Sequence, residues 1–258
     1  MIRHIIFIIA ISLWTVVSFG QTDSIKEKIR LINSCTASLD TLIPLRDGDA
    51  AIIDSLNGQV TDLLLEILNN KNIVRYKIES LLHLHKTISP DKKLIVFSFF
   101  ENTGGSYKSH INIVYYRLPD GEPRGGKLAF CKQDRGVGND YGGTIDEISI
   151  LKSKGKTKYL CRGGGISCNT CEFSYTALLS ISDSSLQTDF CLDLDYRQGD
   201  GNVHYDPKTK TLSYRYTVSR DDILYGTGCD DGQEIAGNRC GHSGQYRFNG
   251  DTFVRAHK

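Results

Sequence analysis

The hydrophobic period of the chain changes near residue 73, and this change limits the possible folds more than any other feature. Between residues 24 and 68, apolar residues repeat every three or four positions, which is the period of one helix face. From residue 94 onward, short runs rich in β-branched and aromatic residues replace that pattern, as is typical of strands. The sequence therefore predicts an α+β fold, mostly β, with its helices on the N-terminal side.

Two amphipathic helices are predicted within residues 21–72. The first carries an apolar stripe that starts at Ile25 and includes Cys35, and Asp23 or Ser24 can cap its start. "PLRDGD" (44–49) interrupts the pattern, and a second stripe runs from Ile52 to Leu68. Two helices joined by a short turn form a helical hairpin. We expect its stripe, with Cys35 as a core residue, to pack on a β domain formed by residues 73–258.

That β domain contains a series of short predicted strands. They lie at 94–100, 110–117, 126–131, 145–151, 157–161, 172–181, 187–192, 211–218, 244–248 and 252–255. Turn material such as "SPDKK" and "ENTGGSYKS" separates them. Strands at such short intervals predict an antiparallel meander, either sandwich or barrel-like or a small propeller-like arrangement.

Two hairpins have clear turn signals. "YDPKTKTLSYRY" (205–216) predicts a turn at residues 206–208, and "YRFNGDTFV" (246–254) predicts a tight primed turn at Asn249 and Gly250.

Residues 1–20 have the layout of a secretory signal peptide. Arg3 and His4 precede an apolar run from Ile5 to Val17, and small residues at positions 18 and 20 suit cleavage before Gln21. The alternative, a transmembrane anchor, needs about 20 apolar residues. The sequence thus predicts a periplasmic or secreted protein with no stable membrane anchor after cleavage.

The cysteine content fits an exported chain. Eight cysteines follow the predicted signal, at positions 35, 131, 161, 168, 171, 191, 229 and 240. An even number in an oxidising compartment favours disulfides over a zinc site or a thioredoxin-like pair at Cys168 and Cys171. We therefore predict that disulfides brace the β domain.

Two pairings are predicted, and the rest stay open. Cys161 ends one strand-like run and Cys171 begins the next, so a hairpin would join them, with the glycines at 163–165 in its loop. Cys229 and Cys240 would pair across a polar loop, closing it with about 3 kcal/mol of stabilisation. Cys168 would then reach either Cys131 or Cys191.

The charge balance disfavours two classes of partner. The chain has 31 Lys and Arg against 30 Asp and Glu, and loss of Arg3 with the signal leaves 30 of each. No large basic field would attract nucleic acid or an anionic membrane. The one basic cluster, lysines 152, 154, 156 and 158, is interpreted as a solvated hairpin tip.

No motif predicts a catalytic residue, a metal or a cofactor. His83 and His85 would share one face of a strand and could bind zinc with His110, but nothing in the sequence supports His110 as the third ligand. Asp193, Asp195, Asp200 and Asn202 are the ligand types that calcium prefers, but they lack the EF-hand spacing. Gly-x-Ser-x-Gly and Walker sequences are absent. His242 and Ser243 are read as part of a turn.

Several stretches resemble exported proteins of the Bacteroidota. They are the signal ending "SFGQ", the segment "SPDKKLIVFSF" followed by "NTGG", and the hairpin "YDPKTKTLSYRY". The chain is similar here to uncharacterised secreted or periplasmic families with a strand-rich body. The resemblance implies an envelope or extracellular location and no activity.

Three functional hypotheses follow. The first is a non-enzymatic exported module that binds a protein, peptide or glycan, or acts as an inhibitor. The second is a hydrolase that uses carboxylates from the loops at 134–147 and 193–206. The third is a structural protein stabilised by calcium or zinc.

Overall fold

The computed structural model describes residues 24–43, 49–71, 73, 80–102, 109–128, 142–168, 171–195, 201–219, 233–235 and 239–256. The predicted signal and the "PLRDGD" turn up to residue 48 lie outside these residues.

The two predicted helices are present. Helix α1 covers residues 24–39 and helix α2 covers Asp49–Leu68. Their apolar stripes face each other and the first sheet, and Cys35 is buried among them with a free thiol. The end of α1 is fixed by Asn102, whose Nδ2 donates to the carbonyls of Leu39 (2.6 Å) and Leu42 (3.0 Å). The prediction of a helical hairpin packed on the β part is confirmed.

Thirteen strands make three antiparallel sheets in the described chain. Sheet A has β1 (His85–Ile88), β2 (Leu94–Phe100), β3 (His110–Arg117) and β4 (Pro123–Lys127). Sheet B has β5 (Thr144–Ser153), β6 (Lys156–Cys168), β7 (Cys171–Ile181) and β8 (Leu186–Asp195). Sheet C has β9 (Gly201–Asp206), β10 (Thr211–Ser219), β11 (Gln233–Ile235), β12 (Arg239–Phe248) and β13 (Phe253–Arg255). In sheets A and B each strand pairs with the next one along the chain, as in a meander. The number of strands confirms the prediction of a mostly β fold.

The sheets stack face to face behind the helices. One face of sheet A packs on the helices through Phe97, Phe99 and Ile113. Its other face meets sheet B in a second core, and the far face of sheet B meets sheet C in a third. Side chains alternate across a strand, so each four-stranded meander supplies residues to the cores on both of its sides. The order of layers is helices, A, B, C.

Sheet C ends the stack because its outer face is polar. That face carries exposed His204, Arg215, Gln245 and Arg247. The helices cover the opposite end of the stack. Among the described residues, sheets A and C share no core, and the propeller-like alternative remains a prediction. No sheet closes into a barrel within the described residues.

The glycines at 163–165 lie inside β6 and not in a loop, which corrects the predicted Cys161–Cys171 disulfide. Cys161 stands opposite Ala177, whereas Cys171 stands opposite Cys168. The Cys161 thiol is free, and complete burial raises its pKa to about 12. The sequence suggested a loop because glycine usually marks turns.

These glycines serve close contact between strands. A Cβ on Gly163 would lie 1.8 Å from the carbonyl oxygen of Thr144 on β5. A Cβ on Gly164 would lie 2.3 Å from the carbonyl oxygen of Phe173 on β7. Only glycine permits this approach, so the run is a packing feature of the central strand.

The other predicted disulfides remain predictions. Cys131 and Cys229 lie outside the described residues, and the side chains of Cys168 and Cys171 are not described. The thiols of Cys191 and Cys240 are not free. No disulfide joins two cysteines whose side chains are described here.

The turn predictions are largely correct. Asp206 anchors the first hairpin, because its carboxylate accepts hydrogen bonds from the Lys208 amide and the Thr209 hydroxyl. The second turn is wider than predicted. Phe248 pairs with Phe253, so four residues form the loop, and Asn249 Oδ1 accepts from two of its amides.

Candidate functional site

Sheet C carries a row of half-buried aromatic rings on its inner face. We define the aromatic strip as Tyr214 and Tyr216 on β10 with His242 and Tyr246 on β12. The Tyr216 and His242 rings stack at 4.8 Å between centroids, with planes 12° apart. Tyr214 lies 6.2 Å from Tyr216 and 5.9 Å from Tyr246. The rings therefore form one continuous contact row.

The strip begins at the core and leads outward. Tyr246 packs edge-on against Phe190 of sheet B, with centroids 5.2 Å apart. Burial raises the pKa of the Tyr246 hydroxyl, as does the neighbouring Tyr214. Tyr214, Tyr216 and His242 continue along sheet C and do not belong to the apolar core between sheets B and C. Their rings thus extend a buried cluster to the half-exposed surface.

Glycines opposite the tyrosines shape the strip. Tyr214 pairs with Gly244, and a Cβ there would lie 2.4 Å from the Tyr214 hydroxyl oxygen. The Tyr214 side chain therefore lies directly on the backbone of β12. Tyr216 pairs with Gly201 on β9. Both glycines help to determine where the rings sit.

Strand alternation leaves Arg255 of β13, which stands opposite Tyr246, as the charged neighbour of the strip on the same face among the described residues of sheet C. Arg215 and Ser243 lie between the strip residues along their strands, so their side chains point to the outer face of sheet C. Among the described side chains of β9, β10 and β12, the inner face carries aliphatic and aromatic residues, glycine, Cys240 and His242. Nε2 of His242 is buried and has no hydrogen-bond partner within the part of the chain that is described.

The sequence did not single out this strip. His242 was interpreted as part of a turn, but it lies within β12. The signal was present as the alternation Leu212, Tyr214, Tyr216, which places all three side chains on one face. Recognising it as a site also required the register that brings His242 beside Tyr216.

The three candidate zinc histidines are separated. His83 precedes β1 and its Nδ1 lies 3.4 Å from Asp40, whereas His85 faces Asp146. His110 packs against Phe100, with ring centroids 5.7 Å apart. No group of three or more His, Cys, Asp or Glu side chains suited to a metal exists in the part of the chain that is described.

A carboxylate, a histidine and a hydroxyl meet at the boundary between sheets A and B. His85 Nε2 lies 3.6 Å from Asp146 Oδ1 and 3.2 Å from Thr87 Oγ1. A catalytic relay needs the two partners on different ring nitrogens. Here both approach Nε2, and the Thr87 hydroxyl also donates to the Ile145 carbonyl. This set therefore lacks the geometry for nucleophilic catalysis.

A bulge in β5 separates the two neighbouring acids of the 134–147 loop. Asp146 turns toward His85, while Glu147 faces Arg162 across the sheet. The Arg162 hydrogen bond lowers the pKa of Glu147. The hydrogen bond from Arg162 therefore favours the ionised form of Glu147, which does not suit a general acid.

The second acidic region is only partly described. Asp193 lies in β8, Asn202 is exposed in β9, and Asp200 and the Asp195 side chain lie outside the described part. The pKa of Asp206 is lowered by hydrogen bonds from Thr209 and Lys208. The proposed calcium ligands therefore remain a prediction.

None of the helices in the described part of the chain is both long and apolar enough to cross a membrane. Comparison with known protein families, with characterised proteins and with solved structures finds no match.

Proposed function

We propose that the protein is an exported, non-enzymatic binding module of the cell envelope or extracellular space. The observation that carries this proposal is the aromatic strip, a half-buried row of Tyr214, Tyr216, His242 and Tyr246 on a rigid sheet. Tyrosines give large contact areas with a polar end at a small entropy cost, and interfaces are enriched in them. The sheet holds the rings in place before a ligand arrives.

Binding accounts for the strip better than catalysis does. Among the described carboxyls with a shifted pKa, every shift is downward: Glu27, Asp91, Glu147, Asp206 and Asp251. A hydrolase with a carboxylic general acid needs one pKa that is raised. No carboxylate belongs to the strip itself.

Export and disulfide bracing complete the proposal. The signal at residues 1–20 directs the chain to an oxidising compartment, where Cys191 and Cys240 hold disulfide bonds that tie sheets B and C to neighbouring loops. The thiols of Cys191 and Cys240 are not free, which supports this role.

Export is tested by the mass and fluorescence of the secreted chain. Trp14 is the single tryptophan, so cleavage after Gly20 removes it. We expect the mass of a chain that starts at Gln21 and no tryptophan emission. Full-length protein in the cytosol, with all eight thiols titratable, would refute export.

Binding is tested with immobilised protein and the native envelope fraction. Tyr216→Ala should release a partner that the unchanged protein retains, because Tyr216 is central to the strip. Arg215→Ala is the matched control, since that side chain lies on the other face of the same strand. Equal retention by both variants would contradict the proposal.

A further inference from the structure

We propose that Cys168 and Cys171 form a redox-active disulfide that closes the β6–β7 hairpin. The inference rests on the proposed export, because the bond needs an oxidising compartment to persist. Its starting point is the register of the two strands. Cys168 is the last residue of β6, Cys171 is the first residue of β7, and the two residues are paired directly across the hairpin.

The backbone of the hairpin places these two residues within the range of a disulfide. Residues paired in an antiparallel ladder have Cα atoms about 4.5–5.5 Å apart. A disulfide spans Cα separations of about 4.4–6.8 Å. Paired residues also share one face of the sheet. The strands therefore need not move for a bond between Cys168 and Cys171 to form.

The register excludes the other cysteines of the same sheet as partners. Cys191 stands opposite Ala177 of β7, six residues beyond Cys171. Six residues of extended chain span about 20 Å, which no disulfide can bridge. The Cys161 thiol is free and lies in the core between sheets A and B. This geometry removes Cys191 as a partner of Cys168, a pairing that the sequence left open.

The small size of the closed loop makes this bond easy to reduce. Only two residues separate the cysteines, so the bond removes little conformational entropy from the unfolded chain. The predicted Cys229–Cys240 bond would enclose ten residues and constrain the chain more. The β6–β7 ladder continues from the hairpin end to Lys158 and Ser180, so the strands stay paired without the bond.

The hairpin end also lies within reach of a soluble thiol. Glu172, the residue next to Cys171, is exposed. Disulfides at exposed positions have more oxidising potentials than structural ones and are the ones that exchange. We therefore assign this bond to exchange and not to bracing of the fold.

The exchange partner is a dithiol of the same compartment. One of its thiolates attacks a sulfur of the Cys168–Cys171 bond, which forms a mixed disulfide and releases the other cysteine as a thiolate. The second thiol of the partner then displaces the remaining cysteine. The hairpin gains two electrons and two protons, and the dithiol becomes a disulfide. Exchange with an oxidised partner runs the same steps in reverse.

Non-reducing peptide mapping tests the pairing, using the secreted chain after equilibration with oxidised glutathione. Cleavage after Arg162 and Glu172 releases residues 163–172, in which Cys168 and Cys171 are the cysteines. We expect this peptide to be unlinked to any other and to gain two hydrogens on reduction. A link from it to another cysteine, or two free thiols before reduction, would overturn the proposal.

Cys171→Ser identifies the partner in the folded protein. Removal of one cysteine of a disulfide frees the thiol of the other, so iodoacetamide should label one additional cysteine, Cys168. Cys35→Ser is the matched control, because the Cys35 thiol is already free and its loss should release no new one. Labelling of any other cysteine in Cys171→Ser would show a different pairing.

Stepwise reduction of the native chain with dithiothreitol tests the redox activity. We expect Cys168 and Cys171 to be reduced at a dithiothreitol concentration at least about tenfold below that needed for Cys191 and Cys240, with unchanged circular dichroism. If Cys191 or Cys240 were reduced first, or if the fold were lost with the hairpin bond, the redox assignment would be wrong.

Export fails separately from this pairing. A full-length chain in the cytosol, found by mass and fluorescence, refutes export. A secreted chain in which Cys168 is bonded to a cysteine other than Cys171 refutes the hairpin disulfide alone.

Discussion

The two boundaries between the sheets are built differently. Sheets A and B are joined by a buried neutral contact: Ser98 donates to Asn112, which donates from Nδ2 to the Gly143 carbonyl at 2.8 Å. Sheets B and C are joined at one end through Lys158 of β6, whose Nζ pairs with Asp189 of its own sheet at 2.9 Å and donates to the Asp251 carbonyl of sheet C. Beyond their core, the aromatic strip reaches the surface.

This difference separates a structural boundary from a functional one. Ser98, Asn112 and the Gly143 carbonyl satisfy each other across the boundary between sheets A and B. The boundary between sheets B and C is fixed at the hairpin tips, where Thr252 also donates to the Asp189 carbonyl at 2.9 Å. Among the described residues, the buried Nε2 of His242 in the strip has no hydrogen-bond partner. A sheet fixed at one end suits a binding site at the other, because its side chains lose little freedom when a ligand binds.

The largest effect is expected at Gly163, in the sheet that both boundaries share. Gly163→Ala would place a Cβ 1.8 Å from the Thr144 carbonyl oxygen, so β5 and β6 must separate. We expect a loss of about 4 kcal/mol or more in the free energy of unfolding, measured in urea. Gly58→Ala in α2 is the control. It has open space and should gain about 0.5–1 kcal/mol. If Gly163→Ala and Gly58→Ala changed the free energy of unfolding equally, the packing role of the glycines at 163–165 would be contradicted.

Asn112→Ala tests the boundary between sheets A and B. It leaves the Ser98 hydroxyl and the Gly143 carbonyl buried without their partner. The expected loss is about 3 kcal/mol, since each orphaned group costs roughly 1–3 kcal/mol. Thermal and chemical denaturation measure it, with exposed Asn202→Ala as the neutral control. A loss below about 1 kcal/mol would show that water replaces the amide.

Lys158→Met tests the boundary between sheets B and C. The lysine side chain is 7% exposed and that of Asp189 is 21% exposed, so Asp189 would lose its cation but retain some hydration. We expect a loss of about 2 kcal/mol, below the range for fully buried pairs. Lys156→Met, an exposed neighbour, should stay within about 0.5 kcal/mol.

Tyr159→Phe has the smallest expected effect, and it depends on pH. The Tyr159 hydroxyl donates to Asp91 Oδ2 at 3.0 Å. Burial would raise the pKa of Asp91, but hydrogen bonds from Ser89, the Lys93 amide and Tyr159 outweigh it and lower that pKa below 3.8. A lowered carboxyl pKa stabilises the fold above the unfolded value, and this gain disappears as pH falls through the folded value.

The variant should therefore be less stable by about 0.5 kcal/mol at neutral pH, because Asp91 is largely exposed and screened by solvent. Its stability should fall less than that of the unchanged protein between about pH 4 and pH 2. If the stabilities of the variant and of the unchanged protein fell in parallel over that range, the stabilising role of the Tyr159–Asp91 hydrogen bond would be contradicted.

The helices and most strands follow directly from the sequence. The stripe of α1 and the runs at 94–100 and 110–117 have strong periods, and the structure places them within a few residues. The short strands β1, β9 and β11 were not predicted as separate runs, because three to six residues give too little periodicity.

The stacking and the site could not be predicted in the same way. Glycine at 163–165 signals a turn locally, yet contacts with β5 and β7 require it in a strand. Lys158 looked solvated beside three other lysines, but the fold buries it against Asp189. The strip depends on which residue of β12 faces Tyr216. Register and layer order come from long-range packing, which a single sequence does not encode as a local pattern.

Hydrogen exchange, measured by mass spectrometry, tests the central assignment of function most directly. The secreted chain is compared with and without the partner that it retains from the envelope fraction. We expect slower exchange in β10 and β12 at the strip, and no change in β2 and β3 between the helices and sheet B. Protection centred on sheet A, or no protection anywhere, would contradict the view that the open end of sheet C is where this protein meets its ligand.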